Sequence, residues 1–444
     1  MERWLAADHT LLAKSQPADT LLREGMKRLT DMRAVWRILA ASIVVVLVAA
    51  CGNPTPDAVV QHLSMRLTNS SASFGLQLVD HLLVEPDAGN VFVSPLSATL
   101  MLSMAASAAE GKTQAAMLNT LGLDPSVDPS AEARQTIERL TQSDANIQVE
   151  LAQAVWAEAG LALSPAYFTK LRNDYKAQVS NLDFQSPNAP AAVNHWVDSA
   201  THHKITQLVD GFDPNVVAYL ANATYFHGLW RSEFESHGSA DFHTFGGTAV
   251  KVPMMQRTEN VTMLTTPTYV GALLPYKGGR FSALLLLPKQ LLAPGDFAKF
   301  LTAASWGQTI RYLHTATGTS LGANCKRPDT APAPDVGIDC EGTLVMPKFT
   351  LEYKKDLTKT LGAMGMPVGP GASLPGFCSG CFLSDVVQKT YLQVDEKGTT
   401  AAAASGGNVA TAAHIPVVVD RPFAFALIDS ATDAPLFLGA IGDL

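Results

Sequence analysis

From Gly398 to Ala413 the chain carries no charged residue, and apart from Asn408 and Val409 no side chain larger than threonine. Surface loops normally carry charge. A segment this small and uncharged can also enter a packed sheet, because no charge is desolvated and no bulky group must be accommodated. Entering as a strand, it would put Thr399, Ala401, Ala403 and Ser405 on one face, toward the core. Composition alone leaves a second reading open, a flexible Ala/Gly linker. The surroundings limit the fold further. A strand pattern at Lys389 to Val394 precedes the segment, and an apolar hairpin follows it, Phe423 to Ile428 with Leu436 to Ile441, joined by Asp429 to Ala434.

The rest of the chain reads as one continuous pattern of mixed helix and strand. Helical periodicity is clear in Ser73 to Leu83, Ser97 to Ala109 and Thr113 to Leu121. Strand-like runs occur at Val149 to Trp156, Ala218 to Phe226, Ala272 to Leu274, Ser282 to Leu287 and Thr343 to Met346. With 444 residues, 47% hydrophobic, 16% charged and a mean hydropathy of +0.12, the chain can bury a large core, which excludes a wholly disordered or fibrous protein. No repeat or break divides residues 58 to 444, so one large domain with several sheets is expected. Residues 1–50 hold seven Lys and Arg against five Asp and Glu, and the remainder 25 against 35. That acidic body argues against nucleic acid as a partner, since neutralising phosphates needs clustered Lys and Arg. No basic cluster suggests a heparin-type cofactor site, and no cofactor or metal is expected.

The N-terminus reads as a targeting segment. Lys27, Arg28, Arg33 and Arg37 precede an apolar run from Ile38 to Ala50, too short for a membrane-spanning helix. Met26 is an alternative start. The pair Ala49-Ala50 before Cys51 resembles the bacterial lipobox, in which the cysteine is acylated and becomes the new N-terminus; an ordinary secretory signal is the other reading. The expected division is a signal segment over 1–50, a lipidated N-terminus and linker over 51–65 with Gly52 to Asp57 as the clearest linker, and the folded domain over 66–444. Acyl chains at Cys51 would hold the protein on a membrane surface without spanning it, in the cell envelope or outside the cell. Export places Cys325, Cys340, Cys378 and Cys381 in an oxidising setting, where disulfides are favoured over zinc. Four cysteines permit three connectivities. The local pairing, Cys325 with Cys340 and Cys378 with Cys381, is expected because it closes two loops rich in Gly and Pro.

Enzyme signatures are missing: there is no Gly-x-Ser-x-Gly, His-Glu-x-x-His, P-loop or dinucleotide fingerprint. A different set of motifs is present. Asn90-Val91-Phe92-Val93-Ser94-Pro95-Leu96-Ser97, Asn222 to Trp230, Val252-Pro253-Met254-Met255, Leu274-Pro275-Tyr276, Met346-Pro347-Lys348-Phe349, Asp395-Glu396-Lys397-Gly398-Thr399, Arg421-Pro422-Phe423 and Pro435 to Gly439 occur in that order. From about residue 66 to Leu444 the chain resembles the serpin family. The resemblance implies an α+β fold with helices packed around three β-sheets and an exposed reactive-centre loop. It also implies a monomeric inhibitor of serine proteases, not an enzyme. A protease would cleave the loop, forming an acyl-enzyme, and the loop would insert into the main sheet and trap it.

Carried over residue by residue, the resemblance makes Glu396, Gly398, Thr399, Thr400, Ala401, Ala402, Ala403, Ala404 and Ser405 the hinge. Counting from Gly398 puts the reactive bond between Ala412 and Ala413; counting back from Pro422 gives Thr411 instead. Either offers a small uncharged residue to the protease's primary pocket, which suits elastase-like or subtilisin-like enzymes; cysteine proteases are not separated by this loop. Ser94, Ser97 and Asn222 match the shutter beneath the sheet's centre. Gln388 stands where the family commonly has His, and Gln153 where it often has Asn. Trp230 matches the breach at the sheet's top. The stretch between Leu313 and Gly342 has no family counterpart. A non-inhibitory serpin acting as a binding or chaperone-like module is the competing reading, favoured by bulky or charged hinge residues, which Thr399 to Ser405 lack.

Overall fold

Among the described residues, the most apolar runs gather in one antiparallel sheet. Strands and helices are numbered along the chain. The order in this sheet is β1 (Val91–Val93), β17 (Ala434–Ile441), β16 (Phe423–Asp429), β9 (Phe281–Pro288), β8 (Tyr269–Pro275), β7 (Thr262–Thr265) and β10 (Gly337–Asp339). Every residue of β9, β16 and β17 is buried, which explains why these strands read as unbroken apolar runs rather than alternating ones. The computed structural model describes residues 56–86, 88–142, 144–161, 164–399 and 415–444, with side chains of the first helix described from residue 66.

A six-stranded sheet has the order β12 (Phe349–Asp356), β13 (Val387–Val394), β14 (Gly398–Thr399), β4 (Ala218–Leu229), β2 (Ile147–Glu158) and β3 (Gln178–Leu182). Here β13 alternates strictly, with Gln388, Thr390, Leu392 and Val394 turned inward and their neighbours partly exposed. Only β2 and β3 run parallel. A third sheet, β15 (Val417–Val418), β11 (Leu344–Pro347), β6 (Ala249–Arg257) and β5 (Glu235–His243), completes the three-sheet α+β architecture that the resemblance implied.

Helices fill the space around these sheets. They are α1 (Pro56–Leu83), α2 (Pro95–Ala106), α3 (Gly111–Thr120), α4 (Ser130–Leu140), α5 (Pro165–Asp174), α6 (Ala189–Ala200), α7 (Pro294–Phe300), α8 (Ala303–Thr317) and α9 (Thr358–Ala363). All twelve residues of α2 are buried, and it packs against β4 of one sheet and β17 of another. A helix apolar on all sides needs such a position.

Several expectations change in detail. Helix α1 takes in Pro56 and Asp57, the last two residues of the expected linker. Helix α2 begins at Pro95, where proline suits a helix's first turn, and stops at Ala106 rather than Ala109. Helix α8 continues through Leu313 to Thr317, so the stretch without family counterpart begins as helix. No described helix is long and apolar enough to cross a membrane.

Candidate functional site

Two polar clusters, one at the end of the six-stranded sheet and one under its middle, gather most of the singled-out residues that the structure describes. At the end, β13 turns at Asp395 into β14. The Asp395 carboxylate accepts from the backbone amides of Lys397 (3.0 Å) and Gly398 (3.2 Å), closing a tight turn. Burial raises its pKa above the usual aspartate range, against those two hydrogen bonds. Thr399 pairs with Val394 on one side and Gly228 on the other, so Gly398 and Thr399 sit between β13 and β4. The approach is close: a Cβ on Gly398 would lie 2.0 Å from the Gly228 carbonyl oxygen. Among the described residues no ladder joins β4 directly to β13.

An aromatic block braces this turn. Trp230 is fully buried, its indole donates to the Asp395 carbonyl at 2.9 Å, and its backbone amide donates to the Lys397 carbonyl at 2.9 Å. Its ring stacks on Tyr276 at 4.3 Å, and the Tyr276 hydroxyl bonds the Thr399 hydroxyl at 2.6 Å. Burial drives the Tyr276 pKa far above the usual tyrosine value. Arg257 lies 4.8 Å over the Phe234 ring and 5.6 Å over Trp230; burial pulls its guanidinium down to about 9. Glu396 pairs with Lys348 at 2.8 Å, and its carbonyl accepts from the Phe234 amide at 2.7 Å.

Beneath the middle of the sheet, Ser94 occupies the N-cap of α2, but its hydroxyl does not cap the helix; it donates to the Leu436 carbonyl at 2.7 Å. Gln388 grips the Ser94 backbone with both ends of its amide, accepting from the Ser94 amide at 3.1 Å and donating to the Ser94 carbonyl at 2.9 Å. Ser97 donates to the Asn222 side chain, and Asn222 donates to Gln153. Thr390 donates to the Phe92 carbonyl at 2.7 Å. Helix α2, β4 and β13 therefore meet through side-chain hydrogen bonds rather than apolar contact alone.

The family model for serpins, the serine protease inhibitors, matches residues 69–444. This chain is a serpin. Iripin-3 of Ixodes ricinus is 30% identical over 410 residues, covering 85% of this chain and 95% of the relative. The leukocyte elastase inhibitor of Sus scrofa is 27% identical, covering 85% and 99%. Among solved structures, the thermophilic serpin tengpin in its native state superposes with a TM-score of 0.69 at 26% identity, over 85% of this chain and 94% of that one. Thyroxine-binding globulin in complex with thyroxine does so at 0.71 and 22%, over 85% and 98%, which shows the shared fold. The family's description is that of serine protease inhibitors, not of catalysts.

Within this serpin the structure brings Ser94, Ser97, Asn222 and Gln388 into one cluster and Trp230, Glu396, Gly398 and Thr399 into the other. Thr400 to Ser405, Thr411, Ala412, Ala413 and Cys51 lie outside the described residues. The sequence reading did not single out Tyr276, Arg257, Lys348, Phe234 or Thr390 as site residues. Tyr276 and Lys348 stood inside quoted motifs, but their partners lie more than 45 positions away, and nothing local marks such a contact. Thr390 carried a local sign, as an inward position of an alternating strand occupied by a hydroxyl. The expected local cysteine pairing is the one found: Cys325 with Cys340 and Cys378 with Cys381.

Proposed function

We propose that this serpin is a single-use inhibitor of serine proteases with a preference for a small uncharged primary residue, as in elastase-like or subtilisin-like enzymes. The observation that carries the reading is the position of Gly398 and Thr399. They belong to the proposed hinge directly after Glu396 and Lys397, and they stand between β13 and β4 as the start of an additional strand. The residues that follow, Thr400 to Ser405, are small and uncharged, so nothing in their chemistry opposes further entry. Cleavage at Ala412–Ala413, or next to Thr411, would leave the hinge continuous with the sheet and the protease acylated on the released strand. The polar cluster of Ser94, Ser97, Asn222 and Gln388 would rearrange as the strands part, and Trp230 would hold the end where entry starts. The leukocyte elastase inhibitor among the relatives supports the choice of target class.

We further propose that residues 1–50 are a signal, that Cys51 is acylated, and that the domain over 66–444 acts as a monomer at a membrane surface of the cell envelope. Expression with radiolabelled palmitate tests this: label lost in Cys51→Ser supports the anchor, and label absent from the parent protein refutes it.

The purified chain, incubated with pancreatic elastase, subtilisin and trypsin, should give a denaturant-resistant complex with the first two, releasing a C-terminal peptide that begins at Ala412 or Ala413. Clean cleavage with no complex and no gain in thermal stability would remove inhibition and leave a binding module.

A further inference from the structure

The stretch from Gly318 to Gly342 interrupts the resemblance, yet it is built into the molecule at both ends. The Leu321 amide donates to the Ser430 carbonyl at 3.1 Å, the Lys326 amide donates to the Ala316 carbonyl at 2.8 Å, and β10 adds antiparallel to β7 at the edge of the seven-stranded sheet. The Cys325–Cys340 disulfide closes the loop between. What this loop touches is specific. Gly322 lies against Gly279 backbone to backbone, so closely that a Cβ on Gly322 would sit 1.5 Å from the Gly279 carbonyl oxygen. The carbonyl of Gly322 accepts from Arg231, and the Asn324 side-chain oxygen accepts from the same guanidinium at 3.1 Å.

Arg231 directly follows Trp230 at the end of β4. Strand entry would lengthen β14 past Thr399 between β4 and β13 and so push β4 away from β13. The backbone around Arg231 is already held, through its amide to the Pro275 carbonyl at 3.0 Å and the Lys277 amide to the Leu229 carbonyl at 2.8 Å. The insertion adds two hydrogen bonds to a charged donor, anchored in a loop that belongs to the other sheet. No carboxylate among the described residues is ion-paired with Arg231, so these two carry its side chain. Displacing the end of β4 breaks both.

We propose that the 318–342 insertion is a latch on the opening of the six-stranded sheet, with Arg231 as the positioning residue and Asn324 as its catch. The latch slows strand entry and holds the molecule in its unopened form until a cleaved loop drives insertion. This rests on the inhibitor reading in one respect, that strand entry is the working motion.

The test measures how fast a synthetic peptide of residues 398–411 anneals to the full chain. Asn324 is exposed, so its substitution leaves the core intact. Asn324→Ala should anneal the peptide roughly threefold faster, as expected for losing one exposed hydrogen bond to a cation. Asn324→Asp, which sets a carboxylate against the guanidinium, should anneal it more slowly than the parent. Both should melt within about 1 °C of the parent, since an exposed side chain contributes little to global stability. Equal rates for Asn324→Ala, Asn324→Asp and parent overturn the latch, as does failure of the peptide to anneal to any of the three. Complex formation with elastase, measured in parallel, separates the two readings. A complex with equal annealing rates removes the latch and leaves inhibition; altered annealing rates without a complex do the reverse.

Discussion

Asp395 carries a conflict that can be titrated. Two backbone amides favour its charged form, while burial disfavours it more strongly, and the net effect raises its pKa in the folded protein. In the unfolded chain the group has its ordinary value. Between the ordinary and the raised value the folded state therefore holds more protons, and stability falls as pH rises through that window. Asp395→Asn keeps an oxygen for the two amides and removes the charge. Its melting temperature relative to the parent should rise between about pH 3.5 and about pH 7, with the gain appearing as the parent carboxyl ionises. A difference that is the same at both ends would show that the charge is not opposed. Gln388 illustrates the limit of reading single residues. The sequence shows that it cannot take a charge in mildly acid solution, as a histidine would. That its amide would clasp the Ser94 backbone at both ends depends on β13 crossing the start of α2 nearly 300 positions away, which no local pattern encodes.

Elements with long apolar patterns were the most legible, and the short α3, β8 and β11 were also read in part. The sequence reading found α2, β2, β4, β9, β13 and the β16–β17 hairpin within a few residues, because each buries one or both faces continuously. It passed over α4, α5, α6 and α8. Start residues mark three of them, Pro165 in α5, Pro190 in α6 and the Thr302–Ser305 capping box of α8, and α4 and α8 also carry helical spacing in their buried positions, Ala133, Ile137 and Leu140 in one and Trp306, Ile310 and Leu313 in the other. It also missed β5, which is almost wholly exposed and has no alternation to detect. Of the site, Gly398, Thr399 and the clustered Ser94, Ser97 and Asn222 stood inside quoted motifs, whereas the Arg231–Asn324 contact joins a residue just past one motif to an insertion, and nothing local marked it.

Two predictions belong to elements. At β14, Gly398→Val places side-chain atoms into the Gly228 carbonyl, so the hinge should leave its place between β13 and β4. The cost in native stability should be about 1–3 kcal/mol, and the number of inhibitor molecules consumed per protease should rise in a titration of residual activity; an unchanged titration would mean that the seat of β14 does not matter. In the 318–342 loop, reducing Cys325–Cys340 opens a loop spanning 15 positions and should lower stability by up to about 3 kcal/mol. The Cys378–Cys381 bridge spans three positions and should contribute less. Urea denaturation of Cys325→Ser/Cys340→Ser and Cys378→Ser/Cys381→Ser variants would rank them, and the reverse order would contradict the loop-length argument.

For the whole molecule, the proposed motion makes a calorimetric statement. A strand entering between β4 and β13 would form ladders on both sides, on the order of ten new backbone hydrogen bonds at about 1 kcal/mol each. Cleavage near Ala412 by a protease that then dissociates should raise the melting temperature by more than about 10 °C. Cleavage that leaves it unchanged, or lowers it, would mean that the loop stays outside the sheet.

The register of the seven-stranded sheet also bears on biosynthesis. Strand β1 has β17 as its neighbour, Val91 facing Ala440, and β16 stands between β17 and β9. A nascent chain cannot close this sheet until residue 441 has left the ribosome. Under the proposed export that is an advantage, because the chain stays threadable while it is being made. A frameshift or early stop shortly before β16 would remove β16 and β17, the two strands that join β1 to β9.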